Sequence, residues 1–409
     1  MQGFFSSAKT KSDIPVGTTA FCGRCQLHKQ KGLKHPKMKV AGKGRRRILI
    51  VGDAPDSVED IKGVPFKEPA GKYFDDEILS DHGIDLYKDC WVTTAVRCFP
   101  KSSKGKYREP TSAEIECCRP HLLQTIRKLK PIAILAMGIK SVGSLVPLIW
   151  KSSGGNVSRW RGWCIPSHTF NTWVSFSIHP LAAKIAREKK QQGLYEIFLH
   201  NEIKEVLKKQ DRPYTKIPNY RKDVKLVYDT SDICQLIQKT IKVGRPTAWD
   251  IETNCLKPET PGADIYSCSL SQLKGPTFAF PTTSPVVRKA LVKFLRSPVK
   301  KIASNLKFED RWSRSILQTP VRAWWWDTML AAHVINGNRG ACSIKFLSFV
   351  YLGVPIYNKS VDDLLRATGE NGLNRIMDIP MEDLLVYNGL DSLLERDVSM
   401  LQRAQFRKA

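Results

Sequence analysis

The sequence has no apolar run that approaches the ~20 residues of a membrane-spanning helix. Its first residues, MQGFFSSAKTKSD, contain no apolar core of a secretory signal. Both absences favour a cytoplasmic protein without a membrane partner. In a reducing cytosol, the eleven cysteines are more often metal ligands or buried thiols than disulfides. Internal repeats and low-complexity tracts are also missing, which argues against a repeat architecture.

Acidic residues are scarce relative to basic ones. The chain has 65 Lys and Arg against 39 Asp and Glu, a formal net charge of +26. The imbalance is concentrated in residues 1–222, where 40 basic residues face 20 acidic ones. A merely soluble basic surface is the alternative, but such an excess favours a polyanionic partner, most simply DNA.

Strand and helix patterns alternate along both halves, which predicts an α/β protein. In the first half, RRRILIVGDAP, PIAILAMG and TWVSFSIHP read as strands, residues 111–130 as a capped helix, and residues 181–209 as one basic helix. The Pro-containing, charged segment 208–223 reads as a linker. We therefore expect domains at 1–207 and 224–409.

The second half carries paired acidic motifs. Asp250 and Glu252, in PTAWDIET, are two apart on a predicted strand and share one face. Like charges in an apolar strand favour a cation between them, and carboxylates suit Mg²⁺ or Mn²⁺. Tyr387 and Asp391, in YNGLD, share a face of a predicted helix.

A third stretch, SNLKFEDRW, places Asn305, Glu309 and Asp310 at a strand-to-helix junction. With DIET and YNGLD, it resembles the tyrosine-bearing DEDD-type 3′→5′ proofreading exonucleases of family A DNA polymerases. The resemblance implies a ribonuclease-H-like domain with a mixed sheet, Asp250, Glu252 and Asp391 as metal ligands, and Tyr387 as the residue that orients water. By register Glu309 is the next catalytic acid, although Asp310 stays open.

Cysteines also form a pattern in the first half. Cys22 and Cys25 form a CxxC, and Cys98 with Cys118 could complete a set of four thiolates; Cys117 is the neighbouring alternative. Zinc, a redox pair, a disulfide or an iron–sulfur cluster are all compatible with a CxxC.

Residues 51–79, with PTSAEIECCRPHL, KPIAILAMG and SIHP, resemble the iron–sulfur family 4 uracil-DNA glycosylases. This resemblance implies an α/β/α domain, a [4Fe–4S] cluster on Cys22, Cys25, Cys98 and Cys118, and a pocket for a flipped base. It also implies Asp53 in the water-activating loop, Phe66 stacking on the base, His179 stabilising the departing base and Lys72 near a phosphate.

One departure concerns base recognition. Thr94, in TTAVRC, replaces the asparagine whose amide reads the edge of uracil in that family. A hydroxyl cannot supply the paired donor and acceptor of an amide. We therefore expect weak or absent uracil excision, a different base, or DNA binding alone.

The two halves together predict a DNA-processing protein of replication or repair. Such a pairing is typical of a phage or viral replication protein, in the cytoplasm of a bacterial host, or of the front of a family A polymerase. A DNA polymerase, in cis or in trans, is the expected protein partner. A non-catalytic DNA-binding or assembly module is the alternative.

Overall fold

The computed structural model describes residues 21–150, 156–191, 193–210, 214, 217–338, 340–357, 361–367, 369 and 372–407. They divide into two compact units between Ile217 and Pro218, inside the segment 208–223. The exact domain limits stay a prediction. None of the helices within these ranges is long and apolar enough to cross a bilayer.

The first unit is built on a five-stranded sheet in the order β2-β1-β3-β5-β4. All neighbouring strands are parallel except β4, which is antiparallel to β5. The strands are β1 Ile48–Gly52, β2 Cys90–Thr94, β3 Ala133–Met137, β4 Cys164–Ser167 and β5 Thr172–Ser177. Because β1 and β3 are buried along their whole length, they read as continuous apolar runs.

Helices cover this sheet. They are α1 Cys22–Cys25, α2 Ser57–Lys62, α3 Pro69–Tyr73, α4 Leu86–Asp89, α5 Ser112–Leu129, α6 Ile139–Ile149, α7 Val157–Trp160, α8 Pro180–Glu188 and α9 Leu194–Lys208. The predicted capping box of α5 is present, because Thr111 and Glu114 each bind the other's backbone N–H. The single basic helix predicted over 181–209 is wrong. Lys190 adopts a left-handed conformation, with φ of 53°, so the segment forms two helices.

The second unit contains a six-stranded mixed sheet in the order β11-β10-β7-β8-β9-β6. Its strands are β6 Val224–Leu226, β7 Thr247–Thr253, β8 Ile265–Gln272, β9 Thr277–Pro281, β10 Lys301–Ala303 and β11 Trp324–Asp327. A meander of β7, β8 and β9 is followed by β10, which returns beside β7 in parallel. This order is that of a ribonuclease-H-like sheet and confirms the predicted mixed α/β fold.

The helices of this unit are α10 Thr230–Val243, α11 Pro285–Arg296, α12 Leu306–Ile316, α13 Thr328–Ile335, α14 Ile344–Leu352, α15 Asp362–Leu365 and α16 Met381–Phe406. The long α16 lies directly on the sheet. A Cβ at Gly389 would lie 2.3 Å from Cγ1 of Val224, so only glycine allows this approach. The close packing brings the adjacent turns of α16 to β7.

Candidate functional site

Three carboxylates meet where α16 crosses β7. Asp250 and Glu252 project from one face of β7, as the period-2 pattern predicts, and Asp391 approaches from α16. One oxygen from each of the three side chains lies within 4.8 Å of the other two. Such a set of hard oxygen donors suits Mg²⁺ or Mn²⁺.

Three other side chains hold Asp250 and Asp391 in place. Nδ2 of Asn388 donates a hydrogen bond of 2.6 Å to Oδ2 of Asp250. Nζ of Lys345 lies 2.5 Å from Oδ2 of Asp391, while the Tyr357 hydroxyl donates to Oδ1 of the same carboxylate. Both carboxylate oxygens of Asp391 therefore have a side-chain partner.

Burial makes the carboxyl groups of Asp250 and Glu252 resist ionisation. It raises the pKa of Asp250 to about 8, with a further contribution from the negative charge of Asp391. The pKa of Glu252 is raised for the same reason, by burial and then by Asp250. Burial alone would lower the pKa of Lys345, but the surrounding carboxylates outweigh it and raise the pKa above its ordinary value. A bound cation would relieve this repulsion.

The structure distinguishes the two candidate acids that follow Asn305, which are Glu309 and Asp310. Glu309 is buried, at 2% exposure, and lines the same cavity as Asp250. Asp310 instead accepts a hydrogen bond of 2.6 Å from Nε of Arg314 and another from the backbone of Val321. Asn305, in a left-handed conformation at the start of α12, also lines the cavity. This placement favours Glu309 over Asp310, and its chemical role stays a prediction.

A cavity of about 340 Å³ collects these groups. Tyr387 lines it one helical turn before Asp391, as the YNGLD motif predicts. Glu395, one turn after Asp391, also lines it and is buried at 1% exposure. Sequence reasoning missed Glu395 and Lys345. The spacing of four and eight residues from Tyr387 could have revealed Glu395, whereas the approach of Lys345 depends on tertiary packing.

The first unit has a larger cavity, of about 700 Å³, at the carboxyl edge of its parallel strands. Asp53 follows β1, Thr94 ends β2 and His179 comes shortly after β5, so all three reach this edge. Phe66 lines the same cavity, with its ring 6.1 Å from that of His179. The structure thus brings together four residues that are distant in sequence.

His179 is held as a neutral imidazole of defined tautomer. Its Nδ1 accepts a hydrogen bond from the backbone N–H of Leu181 at the start of α8, so the remaining proton belongs on Nε2. Burial lowers its pKa to about 4. Because the ring is neutral at physiological pH, it can offer an N–H to an anionic oxygen.

Phe66 has an unusual backbone conformation and lies close to two glycines. Phe66 has φ of 61°, unusual for a non-glycine residue, and its N–H donates to the carboxylate of Glu59. A Cβ on Gly71 would lie 2.3 Å from the Phe66 carbonyl oxygen, and one on Gly52 would lie 2.7 Å from the Phe66 ring. Positions 52 and 71 therefore have no room for a side chain beside Phe66.

Asp53 is constrained by a neighbouring helix. Its Oδ1 accepts hydrogen bonds of 2.9 Å from the backbone N–H groups of Lys140 and Ser141. Burial raises its pKa to about 6, against the lowering effect of those two donors. One oxygen is thus committed to the first turn of α6.

Thr94 and Lys72 contribute less to the cavity. The Thr94 hydroxyl donates a hydrogen bond of 2.9 Å to the carbonyl of Val96, so its one proton is already used. Lys72 has an exposed side chain on α3 and lies outside the cavity lining. Its proposed phosphate contact therefore stays a prediction.

Five cysteines surround a small enclosed space near α1 and α5. Cys22, Cys25, Cys98, Cys117 and Cys118 all line it. The sulfur of Cys98 accepts a backbone hydrogen bond of 3.2 Å from Lys37, and that of Cys118 accepts one of 3.4 Å from Arg97. Backbone N–H groups directed at sulfur favour thiolates.

The spacing of these sulfurs bears on the metal. A tetrahedral zinc with Zn–S bonds of 2.3 Å brings its sulfurs to about 3.8 Å of one another. Among the described residues, the group whose ligand atoms lie within 4.8 Å of one another is the carboxylate set, not the thiols. Four thiolates of this set would suit either zinc or an iron–sulfur cluster.

The comparisons with known proteins identify the first unit. Residues 40–199 match the model of the Uracil DNA glycosylase superfamily. The chain is 32% identical over 179 residues to a "Type-4 uracil-DNA glycosylase" of Pyrobaculum aerophilum, spanning 43% of this chain and 84% of that protein. A protein of the same name from Saccharolobus solfataricus is 29% identical over 176 residues, covering 42% and 76%. The chain therefore belongs to this superfamily, which confirms the resemblance of the first half to uracil-DNA glycosylases.

Two solved structures of other proteins align with part of this chain at low sequence identity. The catalytic core of RRP6 from Trypanosoma brucei (mutant C496S) has a TM-score of 0.35 and 16% identity, covering 45% of this chain and 48% of that one. Escherichia coli RNase D, described as "an exoribonuclease involved in structured RNA processing", has a TM-score of 0.35 and 11% identity, with 45% of each chain covered. The chain thus spans about half of each.

Proposed function

We propose that the second unit is a divalent-metal-dependent 3′→5′ exonuclease that hydrolyses phosphodiester bonds at DNA 3′ ends. The observation that carries the proposal is the convergence of Asp250, Glu252 and Asp391 within 4.8 Å, with Tyr387 in the same cavity. Bound Mg²⁺ or Mn²⁺ would supply charge for activating water and stabilising the leaving oxygen.

The protein's own residues would prepare this reaction. Asn388 orients Asp250, and Lys345 with Tyr357 orients Asp391. The Tyr387 hydroxyl, one turn from Asp391, would orient the attacking water. Phe308 and Leu256 supply apolar walls beside the acids and would limit access of bulk solvent.

We propose that the first unit binds DNA through its excess positive charge and carries a [4Fe–4S] cluster on Cys22, Cys25, Cys98 and Cys118. The cluster would be structural, tying α1 to the loop after β2 and to α5. Excision of uracil would be weak, since Thr94 offers no free donor. A DNA polymerase, in cis or in trans, is the proposed protein partner.

The exonuclease proposal can be tested on a labelled primer with a mismatched 3′ end, with Mg²⁺ or with chelator. Asp250→Ala should abolish nucleotide release and leave DNA binding unchanged or tighter, because a repulsive charge is removed. Tyr387→Phe should slow release by about 10–100-fold. Full activity of Asp250→Ala, in a preparation free of host nucleases, would overturn the proposal.

A second candidate function for the first unit is DNA binding without base excision. The internal hydrogen bond of Thr94 favours it, because the edge-reading group is absent. A uracil-release assay on duplex DNA separates the two, since robust release by the unaltered chain would exclude the binding-only function.

A further inference from the structure

A basic hairpin lies at the edge of the large cavity in the first unit. Residues 101–108, KSSKGKYR, contain four basic residues and no acidic one. Lys101 and Tyr107 pair across the hairpin in an antiparallel bridge, and the backbone N–H of Ser102 donates a hydrogen bond of 2.8 Å to the carbonyl of Lys106. Tyr107 is one of the residues that line the cavity. The hairpin has no part in the function proposed for the first unit.

Arg108 ties the hairpin to the start of α5. Its two terminal nitrogens lie 2.8 Å and 2.5 Å from the two carboxylate oxygens of Glu114, in a bidentate ion pair. Its Nε donates a hydrogen bond of 3.2 Å to the carbonyl of Lys101, on the opposite side of the hairpin. A bidentate pair fixes direction as well as distance. The hairpin is therefore held against the body of the unit at both of its ends.

Tyr107 combines support from a neighbouring ring with a large exposed surface. Its ring is nearly parallel to that of Phe99, at 11° with the centroids 6.4 Å apart, and Phe99 is buried at 2% exposure. Nζ of Lys101 lies 5.7 Å from the centre of the Phe99 ring. Tyr107 itself is 45% exposed, although it lines a cavity. An aromatic ring that is supported on one side and open to solvent is a surface on which a nucleic-acid base can stack.

The charges beside this ring favour a phosphate backbone. Lys104 and Lys106 are both exposed on the hairpin. The cavity wall has the opposite balance of residues, since five acids and one lysine line it: Asp53, Asp56, Glu59, Glu68, Glu109 and Lys184. A phosphate is therefore better accommodated on the hairpin than in the cavity. This division of charge matches a DNA strand whose backbone lies on the hairpin and whose bases face the cavity.

We propose that residues 101–108 form a DNA-strand contact at the edge of this cavity, in which the Tyr107 ring stacks on a base and Lys104 and Lys106 bind the neighbouring phosphates. The strand is unpaired where it meets the ring, because a base stacked within a duplex has both faces covered by its neighbours. This inference rests on the DNA binding proposed for the first unit and assigns part of that binding to particular residues.

The test is binding of the full chain to a fluorescein-labelled single strand of about 12 nucleotides, in chelator so that the strand is not cleaved. Tyr107→Ala should weaken binding by at least about fivefold, because base–aromatic stacking is lost. Tyr107→Phe keeps the ring and should stay within about twofold of the unaltered chain. Tyr195→Ala is the matched control, since Tyr195 is an exposed tyrosine of the same unit outside the described lining of the cavity.

The two lysines are tested by the salt dependence of the same binding. Each phosphate contact on a single strand contributes about 0.7 to the slope of log affinity against log salt concentration. Lys104→Ala combined with Lys106→Ala should therefore reduce that slope by about 1.4. Tyr107→Ala should leave the slope unchanged, because the ring carries no charge. An unchanged slope in the double lysine variant would contradict the phosphate contacts.

The stacking contact is measured directly with a strand that carries 5-iodouracil, which attaches on irradiation to an aromatic ring stacked against it. We expect the attached peptide to contain Tyr107, and the attachment to be lost in Tyr107→Ala. An affinity of Tyr107→Ala equal to that of the unaltered chain, or attachment only at other residues, would overturn the inference while the proposed DNA binding stands. A chain that does not bind the strand would contradict both the inference and the proposed DNA binding.

Discussion

Nζ of Lys345 lies 2.5 Å from Oδ2 of Asp391, so an ammonium group is ion-paired with one of the candidate metal ligands. Lys345 lies in the first turn of α14, outside the acidic motifs that were recognised in the sequence. The pairing implies that the carboxylate site remains partly balanced before any cation binds. Replacing Lys345 should therefore change the stability of the protein differently with and without bound metal.

Lys345→Met should destabilise the metal-free chain by about 1–3 kcal/mol, because it leaves the buried carboxylates unopposed. This loss of stability is smaller than for a fully buried ion pair, because a quarter of the Lys345 side chain is exposed. Mn²⁺ should then stabilise the variant more than it stabilises the unaltered chain. Melting curves with chelator and with Mn²⁺ measure both effects. Lys307→Met, at an exposed position of α12, is the control, and equal losses in the two variants would contradict the prediction.

Metal affinity should depend on pH between about 6 and 8. The pKa of Asp250 is raised to about 8 by burial and by Asp391, so protons compete with the cation below that pH. The apparent affinity for Mn²⁺ should rise about tenfold per pH unit for each proton released. Titrations in buffers of different ionisation enthalpy would count these protons. An affinity independent of pH over this range would contradict the assigned cause.

The same shift sets the sign of the stability change. A folded pKa of about 8 against an ordinary value of 3.8 means that the fold holds the proton of Asp250 more tightly than the unfolded chain. The metal-free protein should therefore lose stability as pH rises from about 4 to 8. With Mn²⁺ bound, this loss should be smaller at the upper end. Asp250→Asn should flatten the metal-free profile, and an unchanged slope would assign the dependence to other groups.

Cys118→Ser should remove the iron cluster, whereas Cys117→Ser should leave it in place. Cys118 accepts the backbone N–H of Arg97, as expected of a liganding sulfur, and Cys117 is its direct neighbour in α5. Anaerobically purified chain and the Cys117 variant should be brown with about four irons per chain. Iron analysis and visible absorbance make the comparison. Stoichiometric zinc in the unaltered chain, or loss of iron in the Cys117 variant alone, would contradict it.

Thr94→Asn should raise uracil release by at least about tenfold, because an amide supplies the missing donor and acceptor. Thr94→Val is the control, since it removes the hydroxyl without adding an amide. Release from a U·G duplex should be measured in the Asp250→Ala background, where the proposed exonuclease is silent. Equal release by the Asn and Val variants would show that position 94 does not read the base.

The sequence predicted the two α/β units because each rests on local patterns. The apolar runs of β1 and β3, the Thr111 capping box and the alternation around Asp250 all survive in the structure. The predicted helix over 181–209 was wrong because a left-handed Lys190 interrupts an otherwise helical pattern. Such a backbone conformation has no strong local sequence signal when the residue is lysine.

The sites were predictable only in part. Sequence spacing was enough to predict two pairs of residues. Asp250 and Glu252 share a strand face, and Tyr387 and Asp391 are one helical turn apart. Lys345 and Tyr357 were not predicted, because their contacts with Asp391 are set by the packing of α14 and the following loop. The choice between Glu309 and Asp310 depended on which of them faces the cavity. Adjacent residues of a helix point about 100° apart, so the sequence alone does not decide this.

Three side chains of α16 that line the carboxylate cavity occupy successive turns of one unbroken helix: Tyr387, Asp391 and Glu395. An α-helix turns about 100° and rises about 1.5 Å per residue. Inserting a single residue between Tyr387 and Asp391 would thus rotate one group away from the other without harming the helix itself. The candidate site can consequently tolerate substitutions within this segment of α16, but not insertions or deletions. Insertions and deletions that evolution tolerates in this unit should fall outside residues 387–395.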